Sequence, residues 1–276
     1  MTNGNNYILW NMTRKCNFRC KYCYFPHDSS PVDSSLAVDK ILEFLDSTEK
    51  EWTIGMTGGE PFIYPDFVGL CRSMTKKHKI EIDSNLSITP RVRDFAESID
   101  PARVIDIYAA LHIEERERTK GVEQFIETVL LLKEKNFHVS INYVIHPTLV
   151  DRYKADFEYF QSRGIKLLPR PFKGIFEGRG YPISYSPDEK ALFASKPKAG
   201  TKIVYNFKGV PCDAGKRLIR LEPDGSVTDR EGDIYELFAE GENQAHRKRA
   251  EWLHKHCALP AYNLNRPIEQ DSNYLR

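Results

Sequence analysis

Six short apolar runs alternate along the chain with segments whose apolar residues recur three and four positions apart. The runs Tyr7–Met12, Trp52–Thr57, Lys79–Ser84, Val104–Leu111, His138–Ile145 and Gly164–Leu168 have the length and the β-branched or aromatic content of strands. Between them lie five helical stripes: Val38, Ile41, Leu42, Leu45; Phe67, Leu70, Cys71, Met74; Val92, Phe95, Ala96, Ile99; Val122, Phe125, Ile126, Val129; and Val150, Tyr153, Phe157, Phe160. Each stripe covers about two turns and leaves one face to be buried. Strands and helices in such alternation predict parallel strands joined by crossover helices. Six units fall short of the closed eight-stranded barrel. The expected fold is therefore α/β, a partial (βα)6 TIM-like open barrel over residues 1–170.

Beyond Pro169 the periodicity stops. Arg170–Gly215 is rich in Gly, Pro and aromatic residues. Leu218–Leu221 and Ser226–Thr228, joined by Pro223-Asp224-Gly225, read as a hairpin. Ala245–Cys257 reads as a basic helix stopped near Pro260. Residues 171–276 are thus expected to form a small α+β C-terminal extension.

Composition changes this picture little. The chain has 276 residues, 41% hydrophobic and 29% charged, ordinary values for a globular protein with a full core. No apolar run approaches the roughly 18 residues of a membrane span. Met1–Asn6 is polar and carries no signal segment, so a cytoplasmic location without membrane partners is expected. So few residues precede the first strand that no separate peptide-recognition domain is expected at the amino end. Net charge is +1 but uneven: Arg163–Arg220 holds 13 Lys or Arg against 4 Asp or Glu. Such a segment marks either a solvated basic surface or the side that meets an anion.

The chemistry concentrates in one loop. Cys16, Cys20 and Cys23 follow the first strand as Cys-x-x-x-Cys-x-x-Cys, a spacing that suits metal ligation in a reducing compartment better than disulfides. Three thiolates leave a cubane iron–sulfur cluster one ligand short, and an incomplete set keeps a position for another molecule. A zinc site completed by His27 is the competing reading. Gly58-Gly59-Glu60-Pro61 follows the second strand and Ser84-Asn85 the third, so three unusual segments fall on one rim. In such folds that rim carries the active site. Cys71 lies on a helical stripe and reads as a small buried hydrophobe.

Cys16-Asn17-Phe18-Arg19-Cys20-Lys21-Tyr22-Cys23 followed by Gly58-Gly59-Glu60-Pro61 resembles the radical S-adenosylmethionine (radical SAM) superfamily. The resemblance implies a [4Fe–4S] cluster on Cys16, Cys20 and Cys23 whose open iron chelates S-adenosylmethionine. It implies that the reduced cluster breaks a carbon–sulfur bond and releases a 5′-deoxyadenosyl radical that abstracts hydrogen from a substrate. Tyr22 then matches the aromatic residue that packs near the adenine. Gly58 and Gly59 match the glycine pair that lets backbone approach the ligand, Glu60 the acceptor for its ammonium group, and Pro61 the start of the next helix. Ser84, Asn85, Asn142 and Val144 stand where relatives contact ribose, carboxylate or adenine. His112, ending the fourth strand, faces the substrate or serves structure. An external one-electron donor such as flavodoxin or ferredoxin is implied.

Cys212-Asp213-Ala214-Gly215, the hairpin and Cys257 resemble the SPASM or twitch extension, which holds auxiliary clusters in relatives. Where that extension writes Gly-x-x-x-x-Cys, Gly225 is followed by Arg230. Cys212 and Cys257 are two thiols where a second cluster wants about four ligands. Asp213, Asp229, His254 or His256 would have to complete the set. An extension that has lost its cluster is expected, and with it chemistry other than two-electron oxidation. Arg170, Lys173 and Arg179 just past the last barrel strand suit a phosphate or carboxylate, pointing to an anionic small molecule such as a nucleotide, sugar nucleotide or amino-acid derivative. A peptide- or protein-modifying maturase is the second reading. RNA comes third, since no nucleic-acid module is present. A non-catalytic iron–sulfur electron-transfer protein is the remaining class.

Overall fold

The computed structural model describes residues 6–23, 32, 38–193, 218–223, 226–228 and 234–236. Five expected strands appear as β1 (Asn6–Thr13), β2 (Trp52–Gly58), β3 (Lys79–Ser84), β4 (Val104–Ala110) and β5 (Val139–Ile145). The five stripes become α1 (Val38–Ser47), α2 (Phe67–Met74), α3 (Thr89–Ser98), α5 (Val122–Glu134) and α6 (Tyr153–Ser162). A short charged helix with no apolar stripe, α4 (Ile113–Arg118), lies between β4 and α5.

The sixth strand, β6, runs over Leu167–Pro171 rather than Gly164–Leu168. The reason lies at the end of α6. Gly164 sits at φ +76°, its N–H donates to Gln161 O (3.0 Å), and Ile165 N donates to Phe160 O (2.9 Å). Those are the paired bonds of a Schellman stop, and they use the residues that the apolar run would have given to the strand. The strand that follows contains Pro169 and Pro171, which a sheet tolerates at its edge. β6 is indeed an edge, bonded to β5 alone.

Past β6 the chain forms a two-stranded ribbon, β7 (Gly174–Phe176) with β8 (Arg179–Tyr181), and a short helix α7 (Pro187–Ala191), where little periodicity predicted no elements. The expected hairpin forms as β9 (Leu218–Leu221) and β10 (Ser226–Thr228), and β11 (Ile234–Glu236) adds to it. β9 pairs in parallel with β1. The order is β11-β10-β9-β1-β2-β3-β4-β5-β6, so seven neighbouring strands from β9 to β6 run parallel in an open sheet. The basic helix expected over Ala245–Cys257 lies outside the described residues, as do His27, Cys212, Asp213, Asp229, Arg230, His254, His256 and Cys257.

Alternation along the strands sorts the side chains. Ile8, Trp10 and Met12 of β1, Ile54 and Met56 of β2, and Ile80 and Ile82 of β3 are buried with Phe67, Phe95, Phe125 and Phe160 of the helices in one core. Several of the intervening positions are polar: Tyr7 donates to Glu81 (3.0 Å), and Arg170 Nε donates to Asn142 Oδ1 (2.8 Å). Because the strands are parallel, all their carboxyl ends share one rim. Among the described residues no helix is long and apolar enough to cross a membrane.

Nothing lies within 4 Å of a Cβ built on Gly164, so a side chain there meets only the backbone penalty of the left-handed conformation. Gly164→Ala should therefore cost about 1–2 kcal/mol in urea unfolding. An unchanged midpoint would show that the stop does not depend on glycine.

Candidate functional site at the carboxyl ends of the strands

The Cys16–Cys23 segment leaves β1, Gly58–Pro61 leaves β2, Ser84-Asn85 ends β3, His112 follows β4 and His146 follows β5. The glycine pair joins the first two of these. Gly58 has φ +129°, and Cβ atoms added at Gly58 and Gly59 would overlap the carbonyls of Thr13 and Lys15 respectively. Gly59 N donates to Thr13 O (2.6 Å) and Glu60 N to Lys15 O (2.9 Å). What comes close to the glycines is thus the chain's own backbone, at the root of the cysteine loop. Pro61 opens a short 3-10 turn, Pro61–Ile63, capped by Glu60.

Glu60 is fully buried. Its Oε1 accepts from Ser84 Oγ (2.7 Å) and Phe62 N (3.1 Å), its Oε2 from Asn85 N (2.7 Å). Burial pushes its carboxyl up, against the pull of these donors and of the Arg116 charge. The network carries on into the cysteine loop: Asn85 Nδ2 donates to Asn17 Oδ1 (3.0 Å) and lies 3.8 Å from Cys16 Sγ, and Asn17 Nδ2 donates to Ser87 Oγ (2.6 Å). Glu60, Ser84 and Asn85, three positions expected at the site, are one hydrogen-bonded unit.

Within the loop, Phe18 N donates to Cys16 Sγ (3.4 Å) and Cys23 N to Cys20 O (3.1 Å). Cys16 and Cys20 are half-buried, Cys23 is exposed, and all three are free thiols. Burial first, and then neighbouring carboxylates and the other cysteines, push Cys16 up to about 11 and Cys20 to about 12. Thiols that burial and negative neighbours keep protonated, as at Cys16 and Cys20, ionise most readily against a strongly cationic partner. Among the described residues no three His, Cys, Asp or Glu side chains converge closely enough for one metal ion. A cubane asks for something else, because each thiolate meets its own iron. The donors fit a three-thiolate cluster held by Cys16, Cys20 and Cys23.

On the far side, α4 and the residue before it meet the loop four times. Arg116 lies with its guanidinium carbon 5.0 Å from the Phe18 ring centroid. Glu115 Oε2 accepts from Arg19 N (3.0 Å), and the hydrogen bonds from Arg118 hold the Glu115 carboxyl below its usual range. Lys21 pairs with Glu114 (3.4 Å). Tyr22 Oη meets His112 Nδ1 (3.0 Å), and the Tyr22 ring stacks on His146 at 5.9 Å and 25°. His146 in turn packs against Phe172 and Phe176, carrying the aromatic row to the β7–β8 ribbon. Asn142 and Val144 share the polar face of β5, with Asn142 engaged by Arg170. Glu115, Arg116 and His146 have no motif to announce them. Their only sequence signal is position after a strand end.

A family model described as the Radical SAM superfamily matches residues 10–159. A GTP 3′,8-cyclase of Campylobacter jejuni subsp. doylei is 30% identical over 126 residues, 43% of this chain and 38% of that protein. A GTP 3′,8-cyclase of Nautilia profundicola is 25% identical over 240 residues, 80% of this chain and 71% of that protein. The chain thus spans less than two fifths of the length of the Campylobacter relative that it matches. Streptococcus suis SuiB bound to S-adenosylmethionine superposes with a TM-score of 0.60 at 11% identity, over 86% of this chain and 64% of that one. anSMEcpe with bound AdoMet and a Cp18Cys peptide does so with a TM-score of 0.51 at 15% identity, over 68% and 57%. Such low identities bear on the fold alone.

Burial, with help from the Arg116 charge, lowers the pKa of His112 from 6.5 to about 4. The folded state then holds His112 neutral while the unfolded chain protonates it, so folding loses stability as pH falls through that window. His112→Gln lacks this penalty. Between pH 6.5 and 4 the variant should gain on the wild type in denaturant unfolding of the metal-free protein. A difference that ignores pH would remove His112 from the buried network.

Proposed function

The chain belongs to the radical SAM superfamily, and from that membership we propose an enzyme that cleaves S-adenosylmethionine and acts on a nucleotide or a related anionic small molecule. The observation that carries the reading is the joined rim: the cysteine loop, the Gly58–Pro61 turn and Ser84-Asn85 are fastened together by Glu60 and Asn85. Bound on Cys16, Cys20 and Cys23, a [4Fe–4S] cluster would supply one-electron cleavage of S-adenosylmethionine to a hydrogen-abstracting 5′-deoxyadenosyl radical.

The chain's own residues do the holding. Asn85 orients Cys16, and Glu60 fixes Asn85. Glu60 takes three chain donors, two on Oε1 and one on Oε2, so in this reading it shapes the turn while Oε2 keeps a lone pair for the ligand's ammonium. Tyr22, braced by His112 and His146, offers a ring face for an adenine. Asn142 and Val144 line the polar face of β5 as ribose and adenine contacts, and Gly58, Gly59 and Pro61 keep the β2 turn tight against the loop. Closing such a site against water confines a reactive radical to its target. An electron donor of the flavodoxin or ferredoxin kind is part of the reading.

Two facts support a nucleotide. The relatives that match over most of this chain are named GTP 3′,8-cyclases. Arg170 lies in the edge strand β6 and Lys173 just after it, close enough that Arg170, after burial, lowers the pKa of Lys173. Two neighbouring cations suit a phosphate chain. A peptide substrate has only fold-level likeness behind it. Residues 171–276 are read as a SPASM- or twitch-like extension without a complete second cluster.

Anaerobically reconstituted protein should hold about four irons per chain and yield 5′-deoxyadenosine from S-adenosylmethionine and dithionite. Cys16→Ala, Cys20→Ala or Cys23→Ala should abolish both. Iron without 5′-deoxyadenosine would leave only an electron carrier. About eight irons, reduced to four by Cys212→Ala, would overturn the single-cluster reading. Nucleoside triphosphates should be consumed with the radical, and Arg170→Glu with Lys173→Glu should raise their KM about tenfold or more. Unchanged kinetics would remove the phosphate site, and turnover of peptides alone would replace it.

A further inference from the structure

Arg116 is the most buried cation described, 1% exposed, and nothing in the reading above uses it. Burying a guanidinium is costly unless each of its faces and edges has a partner. Here each has one. The two ring faces that flank it are Phe18 of the cysteine loop and Phe125 of α5, with centroids 5.0 and 4.6 Å from its central carbon. Its Nε donates to Leu111 O (3.3 Å) and its Nη2 to the carbonyl of Asn85.

That second bond falls on a residue that Glu60 also holds. The N–H of Asn85 is held by the buried Glu60 carboxylate, its carbonyl by the buried Arg116 guanidinium, and its side chain reaches Asn17 and the Cys16 sulfur. Arg116 therefore touches the cysteine loop by two routes, through Phe18 directly and through Asn85. Burial lowers the guanidinium only to about 10, so it stays charged at neutral pH.

Resting on the cluster assignment above, we propose that Arg116 is a positioning residue for the iron–sulfur loop. Its clamp on Phe18 and Asn85 holds Cys16 and Cys20 ready for iron. Its buried positive charge eases entry of the electron into the cluster. Residues that orient metal ligands from behind are worth about 10–100-fold in metal retention when removed. A cation enclosed in a low-dielectric site also favours the more reduced, more negative state of a nearby centre.

The test uses the reconstituted full chain, with iron loss to a chelator and the midpoint potential of the cluster as readouts. Arg116→Met, which keeps the stem and drops the charge, should lose iron about tenfold faster or more and shift the potential downward. Arg116→Lys, which keeps the charge without the planar stack, should recover most of the potential and little of the retention. Phe18→Leu leaves Arg116 in place and keeps the test alive if Arg116→Met does not fold. It should lose iron faster with its potential nearly unmoved. Wild-type iron that leaves no faster in Arg116→Met or Phe18→Leu would overturn the positioning role. A potential that Arg116→Met does not move would overturn the electrostatic one. A wild-type chain that takes up no cluster would instead sink the cluster assignment itself.

Discussion

Asn85 is held by buried charge at its N–H and at its carbonyl, and the rest of the site hangs from it. A carboxylate and a guanidinium each lose several kcal/mol of hydration on burial, more than a hydrogen bond in water returns. They do not meet as a salt bridge. Each instead bonds one main-chain group of Asn85, Glu60 the N–H and Arg116 the carbonyl, in the two peptide units that flank its Cα. The residual attraction between the two charges acts across that residue, where the effective dielectric is far below that of water. A charge pair placed so does little for overall stability that well-packed apolar residues would not do. What it specifies is the position of one turn, and that turn holds Asn17 and Cys16.

The same logic explains why the glycine pair belongs to the cysteine loop as much as to any ligand. Gly58 and Gly59 admit the carbonyls of Thr13 and Lys15 where a Cβ would sit, and two main-chain bonds close the gap. β2 thereby fastens the base of the loop, β3 fastens its first cysteine, and α4 fastens its middle. Each fastening comes from the carboxyl end of a parallel strand or from the residues just after it. Only a fold that aligns all its strand ends on one rim allows one eight-residue loop to be gripped by three successive units.

Much of this was legible in the chain. Short apolar runs between helical stripes located β1 to β5 because each strand buries a row of apolar side chains against the helices, as Ile80 and Ile82 do in β3. The pattern failed at β6 because a Schellman stop used Gly164 and Ile165 first. It failed at α4 because that helix is nearly all charge, with Glu115 and Arg116 buried by partners that lie about 30 to 100 residues away. Periodicity reads burial by apolarity and is blind to burial by pairing. Ser186-Pro187-Asp188-Glu189 did carry a capping box, the local signal for α7. Glu60, Ser84 and Asn85 were legible as site positions, but their bonding to one another was not. Spacing along a chain says which rim a residue occupies, not which neighbour claims its lone pairs.

The grip on the loop is graded. Cys16 has a main-chain N–H and the Asn85 amide at its sulfur, Cys20 lies beneath the α4 contacts, and Cys23 is exposed with a turn bond from its own N–H. A rigid cage would keep Cys16 and Cys20 buried beside negative neighbours, where ionisation is costly. A loop fixed at its first cysteine and looser at its last lets ionisation and iron binding proceed together, with metal–sulfur bonds supplying the final ordering. The protein thus places its buried charges where precision is needed before the metal arrives. In the proposed cluster the metal would draw in the outermost ligand, the exposed Cys23.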